Sequence, residues 1–128
     1  MAITLSDATR NQMVQQIQID IDTGGAGTVE FKTAESEVQG TNEIATVTFS
    51  ATSFGAASTG TITANDFTVE TNASAGTATN FTIFSGAGTY ILKGTVGAGS
   101  GDINMSSNAF GAGDTVDITS MTIDMPAT

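Results

Sequence analysis

The sequence predicts a mostly-β fold: a single β-sandwich or jelly-roll-like domain of about eight strands with one short N-terminal amphipathic helix. Three observations predict it. Only residues 7–21 repeat apolar positions with a helical period. The remainder is rich in Thr, whose branched Cβ atom favours extended backbone. Clusters of Gly, Ser, Asn and Asp interrupt it every eight to twelve residues or about that, the turn spacing of a sandwich or barrel. The chain of 128 residues is expected to form one domain over 1–128, with the sandwich at 28–125. Such a length buries roughly two-thirds of the surface that its unfolded chain exposes.

The helix comes first. Ser6 or Asp7 is the expected N-cap, and Asp7 sits near the positive end of the helix dipole. Met13, Val14, Ile17 and Ile21 recur at helical spacing, opposite a face of Gln, Asn and Arg. Gly24 and Gly25 supply the left-handed stop. The expected strands then follow at 28–33, with Val29 and Phe31 on one face, and at 43–50, with Ala45, Val47 and Phe49. The polar, acidic segment 34–42 between them reads as a loop, and 51–60 as a small-residue connection anchored by Phe54. Residues 61–64 and 66–71 read as one broken strand or two short ones, and 72–77 as a turn. At 80–85 Phe81 and Ile83 share a face opposite Phe84, and Gly86-Ala-Gly88 closes a hairpin onto 89–96. Gly and Ser at 97–101 turn the chain, 102–105 is a short strand, and 109–113 leads into the last one.

That last segment, 114–125, is the longest in the second half without Gly or Pro. Its alternation changes phase: Val116 and Ile118 share one face, whereas Met121, Ile123 and Met125 share the other. A long strand with a bulge near Thr119 and Ser120 is expected.

Composition narrows the function. There is no Cys and no His, so disulfides, thiol chemistry and the usual zinc and transition-metal ligands are excluded. Three basic residues (Arg10, Lys32, Lys93) stand against thirteen acidic ones, a net charge of −10. Nucleic acid needs clustered Lys and Arg, and anionic membranes repel such a chain, so neither is expected as a partner. The first residues show neither a basic nor an apolar stretch of a signal peptide, and synthesis in the cytoplasm is expected. The thin core, 39% apolar and built from Ala, Val and Ile more than aromatics, fits help from oligomerisation.

No motif carries catalysis. Asp20 and Asp22 before Gly24-Gly25 lack the acidic spacing of a calcium loop and read as a helix end with its turn. Gly97-Ala-Gly-Ser-Gly-Asp102 occurs once, with no following helix pattern and no Lys, and reads as an inter-strand loop. Asp114, Asp117 and Asp124 lie on the polar side of the last strand without the sugar-stacking aromatics of a glycosidase. Ser and Thr lack a His base, and Lys32 or Lys93 would serve as one only if buried. The chain is expected not to be an enzyme and to need no cofactor.

Four stretches together carry a family resemblance: Asp7-Ala-Thr-Arg-Asn-Gln, the Gly/Ala/Ser/Thr-rich 48–65, Leu92-Lys-Gly-Thr-Val-Gly-Ala-Gly-Ser-Gly-Asp-Ile-Asn-Met105, and 110–126. In this order they resemble small virion structural proteins of tailed bacteriophages. The resemblance implies a non-enzymatic, multicopy β-protein that binds other virion proteins. A capsid decoration or cement protein is expected, a homotrimer on the virion surface that bridges major capsid subunits through strand edges and its N-terminal segment. A neck, tail or fibre-associated subunit is the alternative, and a cell-surface or carbohydrate-binding adhesin the alternative of another class. Met121 and Met125 are read first as core and second as interface candidates, with Phe54 and Met13 as further interface candidates.

Overall fold

The computed structural model describes residues 3–105 and 107–128. Among them lie helix α1 (Asp7–Ile21) and strands β1 (Thr28–Lys32), β2 (Glu43–Thr48), β3 (Thr61–Thr63), β4 (Gly76–Thr77), β5 (Asn80–Phe84), β6 (Tyr90–Ala98), β7 (Ile103–Met105), β8 (Ala109–Phe110) and β9 (Thr122–Asp124). The domain is mostly β with a single helix, as expected.

Ser6 is the N-cap: its extended backbone precedes the helix, and its hydroxyl oxygen accepts from the Thr9 N–H at 3.2 Å. The helix buries Val14 and Ile21, and Ile17 packs partly beside them. Met13 does not join this face and is 42% exposed. The reason is the way the helix is fixed. Its polar side chains accept hydrogen bonds from the backbone of 53–60: Asn11 Oδ1 from Gly60 N at 2.8 Å, Gln15 Oε1 from Ala57 N at 2.8 Å, and Asp22 Oδ1 from Ser53 N at 3.0 Å. Positions 11, 15 and 22 form one stripe of the helix, and that stripe turns Met13 to solvent. At the far end, the carbonyls of Ile21 and Thr23 accept from the N–H groups of Gly86 and Ala87 at 3.1 Å each. Gly24, at φ 87°, lets the turn seat there, since a Cβ on it would lie 2.8 Å from Ala87 Cβ.

The main sheet has the order β2-β1-β5-β6-β7. Its inner face carries Val29, Phe31, Ala45, Val47, Phe81 and Ile83, all buried in one core. Its outer face is buried too over β1 and β5, while Lys93 and Thr95 of β6 stay exposed. Glu30, Lys32, Thr82 and Phe84 are covered by 33–42, the loop expected from the sequence. Lys32 Nζ donates to the carbonyls of Val38 and Thr41 at 2.8 Å each and pairs with Glu30 Oε1 at 3.2 Å. The same Glu30 oxygen accepts from Gly40 N at 2.9 Å, and Thr82 Oγ1 donates to Ser36 O at 2.7 Å. Polar residues that alternation would send to water therefore clamp a loop onto the sheet.

β6 and β7 run parallel, joined by a tight loop whose Gly99 and Gly101 have left-handed φ. A Cβ on Gly97 would lie 2.6 Å from Ser100 Oγ, so the chain doubles back only without one.

The second layer is built from segments that leave the main sheet at corners. Thr68 bridges Thr48 at the edge of β2, and Glu70 bridges Val116 beyond it. Further along, β3 pairs antiparallel with β9, and Phe54 and Ser58 bridge Ala64 and Thr61 on the other side of β3. Four expectations change here. The segment 66–71 is no strand but a run of isolated bridges, and the expected turn 72–77 ends in β4, paired with β8. The connection 51–60 holds half a hairpin, turning at Thr59 and Gly60 with φ of 47° and 78°. The last segment is not one bulged strand: Val116 pairs with Glu70, the chain bends at Thr119, and only Thr122–Asp124 form β9. The phase change is nevertheless present, since Val116 and Ile118 pack on the core before the bend and Met121, Ile123 and Met125 after it.

Candidate functional site

The cations are all engaged within the fold. Arg10 Nε and Nη2 donate to the carbonyls of Met125 and Thr59 at 2.8 and 2.9 Å, and Nη1 pairs with Asp7 at 2.8 Å. Lys32 is fully buried with three acceptors around its Nζ. Lys93 holds the same loop from outside, pairing with Glu35 and, at 2.6 Å, with Glu37. The hydrogen bonds it donates to these two glutamates hold the Lys93 ammonium well above the usual lysine range.

The acids singled out from the sequence do separate local work. Asp20 accepts from Gln16, and Asp22 ties the helix end to Ser53. Asp114 Oδ2 accepts from Gly111 N at 2.7 Å and closes a turn, and Asp124 accepts from the Thr61 hydroxyl. Among the described residues no group of three or more carboxylates converges as a metal site. The loop 97–102 is closed by Asp102, whose Oδ2 accepts from Thr95 N at 2.9 Å and from Thr95 Oγ1 at 3.0 Å. Those bonds, the backbone one foremost, hold the Asp102 carboxyl below its ordinary value.

The interface candidates separate as well. Phe54 is only 1% exposed and packs 5.5 Å from Phe49, centre to centre, so it is core and offers no surface to a partner. Met13 is exposed on the helix, and Met125 is half-buried beside the Arg10 contact. Of the N-terminal segment, residues 1 and 2 lie outside the described residues, and Ile3 is exposed.

Met121 alone of the four sits at a concave feature. Between β7 and β9 the two layers stand apart, and a cavity of about 330 Å³ opens there. Its floor is Phe81, Ile83 and Leu92, and its far wall Met121 and Ile123. Ile103 belongs both to this cavity and to a neighbouring one of about 250 Å³ that runs on to Ile118 and Asp117. The result is an open seam, apolar between Leu92 and Ile123 and polar toward Thr119 and Ser120, with Asp102, Asp117 and Asp124 at its margins. Sequence reasoning singled out Met121, Asp102, Asp117 and Asp124 but not Leu92 or Ile103, and it did not bring them together. The apolar phase of Leu92 was legible in β6, but a gap between layers has no local signature. The seam brings the hydroxyls of Thr119, Ser120 and Thr122 and the carboxylates of Asp102, Asp117 and Asp124 to a concave surface whose deepest part is apolar. No protein-family model, curated protein or solved structure matches this chain.

Proposed function

We propose that the chain is a non-enzymatic structural protein of a tailed-bacteriophage virion, a capsid decoration or cement subunit that works as a trimer on the outside of the head. One observation carries the outer position. The chain bears a net charge of −10, and each of its three Lys and Arg side chains is already engaged inside the fold. A surface of that kind is repelled by packaged DNA and keeps neighbouring particles apart. The family resemblance and the open seam support a role in binding protein partners.

The test is made on purified particles. Quantitative mass spectrometry is expected to find hundreds of copies per head, and particles lacking the protein are expected to lose DNA at lower temperature. Absence from heads, or unchanged head stability without it, refutes the cement role. A count of a few to dozens per particle assigns the protein to the neck or tail instead.

A further inference from the structure

We infer that the seam between β7 and β9 receives an extended segment of a partner protein, apolar at alternate positions and flanked by Lys or Arg, which adds as a strand to the free edge of β9. The inference rests on the proposed assembly role only for where that partner comes from; the docking chemistry is argued from the seam itself.

Three features converge. The first is backbone. β7 and β9 are each the terminal strand of their sheets. On β9, Ala64 N donates to Met121 O at 2.8 Å and Met125 N to Gly60 O at 2.7 Å. Residues 121, 123 and 125 thus point their backbone groups toward β3, and the antiparallel ladder turns those of Thr122 and Asp124 the other way. Thr122 and Asp124 line the seam, and among the described residues their backbone groups have no partner on that side. An unpaired edge of this kind is a template for one more strand.

The second feature is the apolar floor. Half-buried Leu92, Ile103, Met121 and Ile123, backed by the buried Phe81 and Ile83, accept the alternate side chains of such a strand. Met121 suits this position because an unbranched thioether refits to whatever side chain enters.

The third feature is charge, and it selects the occupant. Asp102, Asp117 and Asp124 stand at the margins, and Lys93, which also lines the cavity, is held by Glu35 and Glu37. Asp102 is kept ionised by its Thr95 bonds. A second copy of this chain would bring a net charge of −10 to an acidic margin, whereas a basic-flanked segment neutralises it.

The experiment uses the full-length protein and two synthetic ten-residue peptides with the same Val/Thr alternation, one ending in Lys-Lys at both ends and the other in Glu-Glu. Amide NMR shifts are followed during titration. The Lys-flanked peptide is expected to perturb Thr122, Asp124 and Ile103, and to bind at least about tenfold more tightly than the Glu-flanked one. N-methylation of alternate peptide amides on the pairing edge is expected to abolish binding while the protein remains unaltered. Absent binding, equal binding of both peptides, undiminished binding of the N-methylated peptide, or shifts confined to another face each overturn the inference. So does self-association in sedimentation that perturbs the same amides, which assigns the seam to a second copy. These outcomes are independent of copy number on particles: a protein absent from heads that still binds the Lys-flanked peptide refutes the cement role and leaves the seam intact.

Discussion

Replacing Lys32 with Met tests whether a buried ion pair holds the 33–42 loop on the sheet. Methionine nearly fills the volume of the lysine stem, so the perturbation is mainly electrostatic. Glu30, 4% exposed, loses its cation and keeps the Gly40 N–H. The Val38 and Thr41 carbonyls each lose a donor at 2.8 Å. Removing one member of a buried pair costs about 3–5 kcal/mol, because the remaining charge stays buried without compensation. Opening the loop hydrates Glu30 but also uncovers Thr82 and Phe84, so it relieves only part of that cost. The expected loss is therefore about 3 kcal/mol or more, a large fraction of the 5–15 kcal/mol typical of a domain. Urea denaturation measures it, and hydrogen exchange at Gly40 is expected to accelerate. The double variant Glu30→Leu, Lys32→Met removes both charges and is expected to recover most of the loss, leaving about 1–2 kcal/mol for the two carbonyls. A single-variant loss below about 1 kcal/mol, or a double variant worse than the single, would falsify the clamp.

Thr59→Asn is expected to raise stability by about 1 kcal/mol, since Thr59 at φ 47° precedes Gly60 at φ 78° in a turn type that favours Asn-Gly; an unchanged or lower melting temperature refutes this. Asn11→Ala with Gln15→Ala leaves the Gly60 and Ala57 N–H groups without their acceptors and is expected to cost about 1 kcal/mol per bond. Those two amides should then exchange faster while the main sheet keeps its protection. Asp102 has a folded-state value depressed below the ordinary 3.8, so its contribution is complete above that value and is lost as pH falls through the depressed one. A carboxyl NMR titration is expected to place its midpoint below 3.8, Asp102→Asn should remove that part of the acid dependence, and a midpoint at or above 3.8 sinks the argument.

The parts of the fold legible in the sequence are those with one apolar and one polar side. β1, β2, β5 and β6 lie within residues of their expected places because Val29 and Phe31, Ala45 and Val47, and Phe81 and Ile83 alternate with polar neighbours. The same alternation hid the clamp: Glu30, Lys32 and Thr82 look solvent-facing, and only the return of 33–42 over them makes that face an interior. Bridges such as Thr48 to Thr68 and Glu70 to Val116 join residues far apart in sequence, and no local pattern announces them. The helix misled in a third way. Met13, at a correct apolar spacing, was outweighed by Asn11, Gln15 and Asp22, whose hydrogen bonds to the backbone of 53–60 set the helix rotation. The seam was half legible, through Met121 and the phase change, and half not, because its floor and wall come from different layers.

The phase change in 114–125 now has a structural meaning that a bulge does not supply. Val116 belongs to the extension of the main sheet and β9 to the second layer, so the bend at Thr119 is where the chain passes between layers. Ser120, exposed, is the residue that changes the facing. Its deletion shortens the path by about 3.3 Å. With Val116 fixed on Glu70, β9 must slip one residue against β3, which turns Met121, Ile123 and Met125 outward. Full burial of such a side chain is worth about 1.5–3 kcal/mol, and these three are half-buried, so the expected loss is roughly 2–4 kcal/mol. Replacing Ser120 with Gly keeps the path length and is expected to cost well under about 1 kcal/mol, which separates spacing from side-chain identity. Thermal unfolding of both variants reads the difference. Equal melting temperatures for the deletion and the parent protein would show that the crossing tolerates either facing, and the wall of the seam would then owe nothing to the register of β9.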